Sequence, residues 1–206
     1  MKLINSIKKD FNTLTWVLIP VAIMLNIAMS ALGTWSNKSV FLYSLGTILV
    51  SVICGPWAGL LTGALHVIVW SLLLVPTVLP WFLTAGVIGL VAGLCANAGL
   101  FKSWWKALIS AGPIALVTVI FSAFVGAYLA KTTQGMFKMD TIFAFVFDLL
   151  DKSCTTLLAF ALLQAVSPRF LARFPRPENA KVENGRSRTQ QMLIALGAAI
   201  LLYVLS

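Results

Sequence analysis

The sequence predicts an all-α protein, a polytopic bundle of helices that crosses a membrane. Hydrophobic residues make up 60% of its 206 residues and charged residues only 10%, whereas soluble domains carry about 45–50% apolar and about 25% charged residues. The mean hydropathy is +0.96, and several apolar stretches reach the length of about 18 residues that indicates a transmembrane helix. So few charges cannot cover the surface of a water-soluble domain of this size.

Apolar runs separated by polar or proline-containing segments predict six transmembrane helices. The first run follows a basic leader and is longer than the apolar part of a cleaved signal peptide, so we expect a retained helix. Gly55-Pro56 indicates a tight turn between the second and third runs, and Pro76 to Pro80 indicates another. The predicted spans are 14–33, 40–54, 57–75, 81–98, 107–130 and 140–166.

The chain is predicted to divide into three parts. Residues 1–166 form a transmembrane substrate-binding bundle, 167–190 a cytoplasmic basic linker, and 191–206 a short apolar C-terminal segment. The last apolar run, Met192 to Leu205, has about 14 residues, which is short for a span. It has no polar face, however, and therefore fits poorly as a helix lying in the membrane plane. We expect a thin seventh span.

The distribution of basic residues predicts the orientation in the membrane. The formal net charge is +9, and Lys and Arg concentrate in alternate loops, as they do when they hold loops in the cytoplasm. This topology explains the charge without nucleic-acid binding, and it predicts a multi-pass protein of the cell inner (cytoplasmic) membrane with a cytoplasmic N-terminus. The predicted cytoplasmic set is Lys2, Lys8, Lys9, Lys102, Lys106, Arg169, Arg173, Arg176, Lys181, Arg186 and Arg188, and the outer set is Lys38, Lys131 and Lys138.

Three ionisable residues lie inside the sixth predicted span. Asp148, Asp151 and Lys152 would each cost roughly 2.5–3.5 kcal/mol at a helix centre, so they must be paired, hydrated or facing a cavity. Asp148 precedes Lys152 by four residues, the favourable order for a helix pair, and Thr155 continues the same stripe. Two interpretations stay open: a salt bridge that only orients helices, or the polar wall of a ligand pocket that opens from the outer face.

Other candidate substrate-binding residues are predicted at compatible depths. His66 and Trp70 are four residues apart on the third helix and therefore share a face. Trp81 and Thr84 begin the fourth helix on its outer side, and Tyr43 begins the second, so the aromatic rings could stack on a planar ligand. The alternatives are an interfacial aromatic belt for Trp81 and Tyr43 and an interhelical hydrogen bond for His66.

Small residues predict close contacts between helices. Gly59 and Gly63 form a GxxxG pattern on the third helix, and Gly86, Gly89 and Gly93 follow on the fourth. Such residues let helix backbones approach each other. The pattern is compatible with packing inside the chain or against a partner subunit.

No catalytic, metal or cofactor site is predicted. The chain has one His and three cysteines (Cys54, Cys95 and Cys154) without CxxC spacing, whereas zinc sites need several clustered ligands. Neither HExxH nor G-x-S-x-G occurs, so an enzyme is not expected. A Walker A motif is also missing, so an ATP-driven role would need partner proteins.

Three motifs stand out within the plan of six helices with an acidic sixth helix. They are Tyr43-x-x-Gly46-Thr47, Gly55-Pro56-Trp57-Ala58-Gly59 running into Leu60-Leu61-Thr62-Gly63-Ala64-Leu65, and Asp151-Lys152 followed by Leu171-Ala172-Arg173-Phe174-Pro175. Together they resemble the substrate-binding S-components of energy-coupling factor (ECF) transporters, and the resemblance covers roughly residues 14–176.

The resemblance implies a subunit that captures a vitamin-like small molecule from outside the cell. Such a protein works with a transmembrane coupling subunit and two cytoplasmic ATPases, and it docks through small residues of its first helix, often in an AxxxA pattern. In this chain the corresponding candidates are Ala22, Ala28 and Ala31, where the local pattern is Ala28-x-x-Ala31. The alternative function is a stand-alone secondary transporter of a small polar molecule, driven by protons, with Asp148 or Asp151 as the carrier site.

Overall fold

The computed structural model describes residues 2–36, 42–129, 139–175 and 188–205, and within these ranges the protein is all-α. This confirms the predicted fold class, a helical membrane bundle. A short 3-10 helix occupies the proline-containing segment that was predicted as a turn. The helices are α1 (Lys2–Asp10), α2 (Thr13–Ser36), α3 (Leu45–Cys54), α4 (Pro56–Leu73), the 3-10 helix (Pro76–Trp81), α5 (Phe82–Asn97), α6 (Trp104–Leu129), α7 (Met139–Ala165), α8 (Pro168–Leu171) and α9 (Arg188–Leu205).

Four of the described segments are long and apolar enough to cross a membrane, judged by length and composition. They are Thr13–Leu32, Pro56–Leu73, Pro76–Asn97 and Trp104–Leu129, which match the first, third, fourth and fifth predicted spans. Helix α7 is 27 residues long, but three charged side chains near its middle lower its hydropathy. Helices α3 and α9 are shorter apolar helices.

Large apolar side chains cover the outside of the bundle. Met24, Leu72 and Tyr128 are 71%, 77% and 80% exposed, and many other apolar side chains are exposed beside them. A soluble monomer rarely exposes such continuous apolar surface. Lipid is the solvent that suits this surface, so the bundle is embedded in a membrane.

Helix α3 is shorter than the predicted span 40–54. It begins only at Leu45 and has 10 residues, so it is about 15 Å long. The hydrocarbon core of a bilayer is about 30 Å thick. Helix α3 therefore covers about half of that thickness, and residues 37–41, which would have extended it, lie outside the described part of the chain.

The N-terminal helix α1 holds the start of α4. The buried Asp10 carboxylate accepts a hydrogen bond from the Trp57 backbone N–H at 2.9 Å, where the first turn of a helix leaves donors unpaired. Gly55 has φ of +124°, and a Cβ there would lie 2.3 Å from Asp10 Oδ1, so only glycine fits. Burial raises the pKa of Asp10, and the N–H groups of Trp57 and Ala58 and the charge of Lys9 act against that rise.

The start of α2 and the turn after α8 lie at the same end of the bundle. Asn12 caps α2, because its Oδ1 accepts the Thr15 N–H at 2.8 Å, and its Nδ2 donates to the Arg173 carbonyl at 3.3 Å. This agrees with the prediction that the N-terminus and residues 167–175 share one side. The basic residues of the predicted outer set, Lys38, Lys131 and Lys138, lie outside the described residues, as do Arg176, Lys181 and Arg186 of the cytoplasmic set.

The predicted glycine contacts join α4 to α5 inside the chain. A Cβ built on Gly89 would lie 2.1 Å from the Gly59 carbonyl oxygen, and one built on Gly63 would lie 2.1 Å from the Ala85 carbonyl oxygen. The two backbones therefore touch directly, which needs residues without side chains. These glycines pack within the chain and not against a partner subunit.

Helix α9 runs antiparallel to α7. Arg188 at its start donates to the Leu163 and Val166 carbonyls, each at 3.1 Å, and so caps the last turn of α7. Further along, Cys154 Sγ lies 3.7 Å from the Ala199 carbonyl oxygen. With 18 residues, α9 is about 27 Å long, close to the thickness of the bilayer core. That it crosses as a seventh span stays a prediction.

The close approach of α4 and α5 can be tested with Gly89→Ala. The added methyl group would meet the Gly59 backbone, and we expect a loss of about 1–3 kcal/mol in the free energy of unfolding, measured by SDS titration in detergent micelles. Gly126→Ala on α6 is the matched control, because nothing lies within 4 Å of a Cβ there; its stability should be unchanged or slightly higher. Equal stability of the two variants would contradict this packing.

Candidate ligand cavity

A cavity of about 270 Å³ lies inside the bundle. It is bordered by the late turns of α2, α4 and α6, the start of α5, the 3-10 helix and the residue before Ser44. At 1.5 Å per residue, the wall residues of α2 and α6 lie more than about 25 Å from the starts of those helices, and the wall residues of α4 lie about 15–21 Å from its start at Pro56. The cavity therefore belongs to the opposite half of the bundle. The structure brings five of the predicted site residues to its wall: Tyr43, His66, Trp70, Trp81 and Thr84.

Aromatic rings form much of the wall. His66 and Trp70 project from one face of α4, as their spacing predicted, with ring centroids 6.5 Å apart. Trp81 ends the 3-10 helix and Tyr43 lies just before α3, so each ring reaches the cavity from a different element. Flat apolar walls of this kind suit a planar ligand, because ring faces stack on ring faces.

Two buried polar atoms of the cavity wall have no hydrogen-bond partner among the described residues. They are His66 Nε2 and Thr84 Oγ1, and both residues are only 4% exposed. Four other buried hydroxyls of the bundle bond to the carbonyl four residues earlier, at 2.7–2.8 Å; these are Ser51, Thr62, Thr118 and Thr155. Two buried hydroxyls outside the cavity wall, those of Ser44 and Ser103, also have no partner among the described residues. An unpaired buried polar atom is costly and needs an explanation. Both residues border the cavity, and pairing of these two atoms by a bound ligand requires a small movement of their side chains.

The ionic cluster of α7 lies behind Tyr43 and does not itself line the cavity. The Lys152 ammonium is fully buried; it donates to Asp151 Oδ2 at 2.5 Å and to the Tyr43 hydroxyl at 3.0 Å. It also pairs with Asp148 Oδ1 at 3.4 Å, so the predicted i,i+4 pair is present. Thr155 only donates to the Asp151 carbonyl. The expectation that the whole stripe borders the cavity is thus replaced: Tyr43 alone joins the cluster to it.

The second Asp151 oxygen holds the chain just before α3. Asp151 Oδ1 accepts the Leu42 N–H at 3.0 Å, and Leu42 has φ of +51°, which is unusual for a residue with a large side chain. Asn26 completes the arrangement, because its Oδ1 accepts the Gly46 N–H at 2.6 Å and its Nδ2 donates to Thr47 Oγ1 at 2.8 Å. Of the N–H groups that the first turn of α3 leaves unpaired, Asn26 thereby satisfies that of Gly46 away from water.

The wall also contains residues that the sequence analysis did not select. Ser122 lies one turn beyond Thr118 on α6, Ser30 lies late on α2, and the small or branched side chains fill gaps between the rings. Of these residues, only Ser30 and Ser122 could have been selected from the sequence, because each places a hydroxyl inside an apolar span. The additional residues are Ser30, Val67, Val78, Ala85 and Ser122.

The predicted docking residues of α2 face different ways. Ala22 is buried against α3, where its carbonyl oxygen would lie 2.2 Å from a Cβ on Gly46. It therefore cannot contribute its side chain to an outward docking surface, which corrects that prediction. Ala28 and Ala31 are exposed on the outside of the bundle, next to the exposed Met24.

Within the described ranges no group of three His, Cys, Asp or Glu side chains is placed to hold a metal ion. The three cysteines are buried and unbridged.

Comparisons with protein-family models, with curated proteins and with solved structures find no match for this chain. The cavity and the residues around it are therefore the features of the chain that bear on its function.

Removing Asp151 tests its role in holding the start of α3. Asp151→Ala leaves the Leu42 N–H and half of the Lys152 pairing unsatisfied, so we expect a loss of about 3–5 kcal/mol in unfolding free energy, measured in detergent micelles. Adding Lys152→Met should recover part of the loss, because the unpaired buried ammonium is then gone. Thr155→Val, which removes only a bond within α7, is the control. A stable Asp151→Ala single variant would show that the cluster is dispensable.

Proposed function

We propose that this chain is the membrane-embedded substrate-capture subunit of an ATP-driven ECF-type transporter that takes up a vitamin-like small molecule. The observation that carries the proposal is the cavity with two unpaired, buried polar atoms, His66 Nε2 and Thr84 Oγ1, between aromatic rings. Concave, mostly apolar sites with a few placed polar groups are typical of small-molecule binding. The resemblance of the sequence to S-components supplies the transporter type.

The chain needs partners for energy in this proposal. It contains no Walker A sequence, so a P-loop for ATP would have to come from separate ATPase subunits. A transmembrane coupling subunit would connect them to this chain. Exposed small and apolar residues of α2, including Met24, Ala28 and Ala31, offer a surface for it, because small residues let membrane helices approach closely.

The proposed orientation places the cavity towards the outside of the cell. The bundle end where Asn12 meets Arg173 carries the basic leader and the Arg-rich turn, and basic loops stay in the cytoplasm. The cavity lies in the other half of the bundle. A capture subunit in the inner membrane must collect its substrate on that outer side.

Binding can be tested by native mass spectrometry of the purified chain. We expect a small molecule to co-purify, and we expect His66→Leu and Thr84→Val to retain it at least about tenfold less, because each removes a buried polar group that the ligand would pair. Thr62→Val is the matched control: its hydroxyl is buried too but bonds to the Ala58 carbonyl. Equal retention by all three variants would contradict binding in this cavity.

The energy source can be tested by reconstitution into vesicles, with uptake of the co-purified molecule as the readout. Uptake should require the coupling subunit, the ATPases and internal ATP. Uptake by this chain alone that stops when the proton gradient is collapsed would contradict the proposal and indicate a proton-coupled secondary carrier.

A further inference from the structure

We infer that α1 lies in the plane of the membrane, at the end of the bundle where α2 begins, and that it binds anionic phospholipids of the adjoining leaflet. Lys8 and Lys9 contact the phosphate groups of these lipids, and Ile4 and Ile7 lie among the first carbons of their acyl chains. The inference goes beyond the proposed function and does not depend on it, because it concerns contact with lipid and not with a substrate.

Helix α1 is separate from α2 and is attached to the bundle along one side. It ends at Asp10, and α2 begins at Thr13. The Trp57 ring Nε1 donates to Ser6 Oγ at 3.3 Å, and the Trp57 backbone N–H donates to the Asp10 carboxylate at 2.9 Å. Ser6 and Asp10 are four residues apart and therefore lie on the same side of the helix. That side of α1 faces the start of α4.

The two sides of α1 that flank the attached side differ in polarity. Successive helical residues are about 100° apart, so Ile4 and Ile7 lie to one side of the attachment and Asn5 and Lys9 to the other. Ile4 is 57% exposed, and Asn5 and Lys9 are exposed as well. A helix with an apolar side and a polar, basic side facing nearly opposite ways is typical of one that lies at a membrane surface.

The apolar side of α1 continues into the lipid-facing surface of the bundle. Phe11 follows α1 on the same side as the two isoleucines, and its ring centroid lies 5.1 Å from that of Trp16. Trp16 is one turn into α2, a candidate membrane span, and it is 56% exposed beside Val17 at 62%. The apolar side of α1 therefore points towards the membrane core, and its polar side points towards water.

The charges at this end of the bundle select an anionic lipid surface. Lys8 and Lys9 are exposed in the last turn of α1, where their long side chains can reach the headgroups. Arg173 is exposed next to them in the fold, with its carbonyl bonded to Asn12. In the described part of the chain, the one carboxylate at this end is Asp10, which is buried against Trp57. An anionic surface strengthens binding by about fivefold for each such cation.

Lipid selectivity can be measured by native mass spectrometry of the full chain from mixed micelles. The micelles hold equal amounts of phosphatidylglycerol (anionic) and phosphatidylcholine (zwitterionic) with identical acyl chains. We expect the chain to retain the anionic lipid preferentially, and Lys8→Gln with Lys9→Gln to reduce that preference at least about fivefold. The matched control, Lys8→Arg with Lys9→Arg, keeps both charges and should keep the preference. Inorganic phosphate at constant ionic strength should not displace the lipid, because it has no acyl chains.

The orientation of α1 can be measured with spin labels in vesicles that contain phosphatidylglycerol. In a background without the three native cysteines, labels are attached at Ile4→Cys and Asn5→Cys, which are neighbours in sequence on different sides of α1. We expect the label at 4 to be relaxed more strongly by oxygen, which concentrates in the acyl chains. The label at 5 should be relaxed more strongly by a water-soluble nickel chelate.

Two results would each overturn the inference. One is a lipid preference that is missing from the unmodified chain or is the same in the Gln variant. The other is a label at position 4 that nickel relaxes as strongly as the label at 5, which would place both sides of α1 in water. Neither result affects retention of a small molecule that depends on His66 and Thr84, so the proposed function is tested separately.

Discussion

The structure depends on one constraint: a helix that begins inside a bilayer must have its first N–H groups paired, because no water is there to pair them. Helix α3 has 10 residues and is about 15 Å long, about half the thickness of a bilayer core. Asn26 on α2 pairs the Gly46 N–H in its first turn, and Asp151 on α7 pairs the Leu42 N–H of the chain just before it. Asp151 carries a charge, and Lys152 in turn compensates that charge. The first role of the ionic residues of α7 is therefore structural: they hold the backbone just before α3.

The start of α3 lies beside the cavity. Tyr43, just before that helix, borders the cavity together with residues of α2, α4, α5 and α6. The Lys152–Tyr43 bond links the structural cluster to this wall. The same few residues thus hold the chain before the half-length helix and contact the cavity wall through Tyr43, so the ionic cluster is a structural ion pair that reaches the site by way of that ring.

The sequence predicted most of the fold and part of the site. Apolar runs determine where helices can lie in lipid, which is why α2, α4, α5 and α6 matched their predicted spans closely. The i,i+4 spacing of His66 and Trp70 correctly placed both rings on one face. The late start of α3 was missed, because residues 40–44 are as apolar as the helix that follows. The partners of Asp151 and the inward position of Ala22 were also missed, since contacts between residues far apart in sequence leave no periodic signal in either segment.

The central claim is that the space beyond the start of α3 is a solvent-reachable chamber on the outer side, and accessibility of an introduced thiol tests it most directly. In a background without Cys54, Cys95 and Cys154, which are all buried, Ser122→Cys, at a half-buried position of the cavity wall, would be labelled with a membrane-impermeant cationic methanethiosulfonate reagent in vesicles of known orientation. Labelling from the outer face alone, with no labelling of Ser110→Cys in the core of α6, is the predicted result. An unreactive thiol at 122, or one labelled only from the cytoplasmic face, would contradict the account.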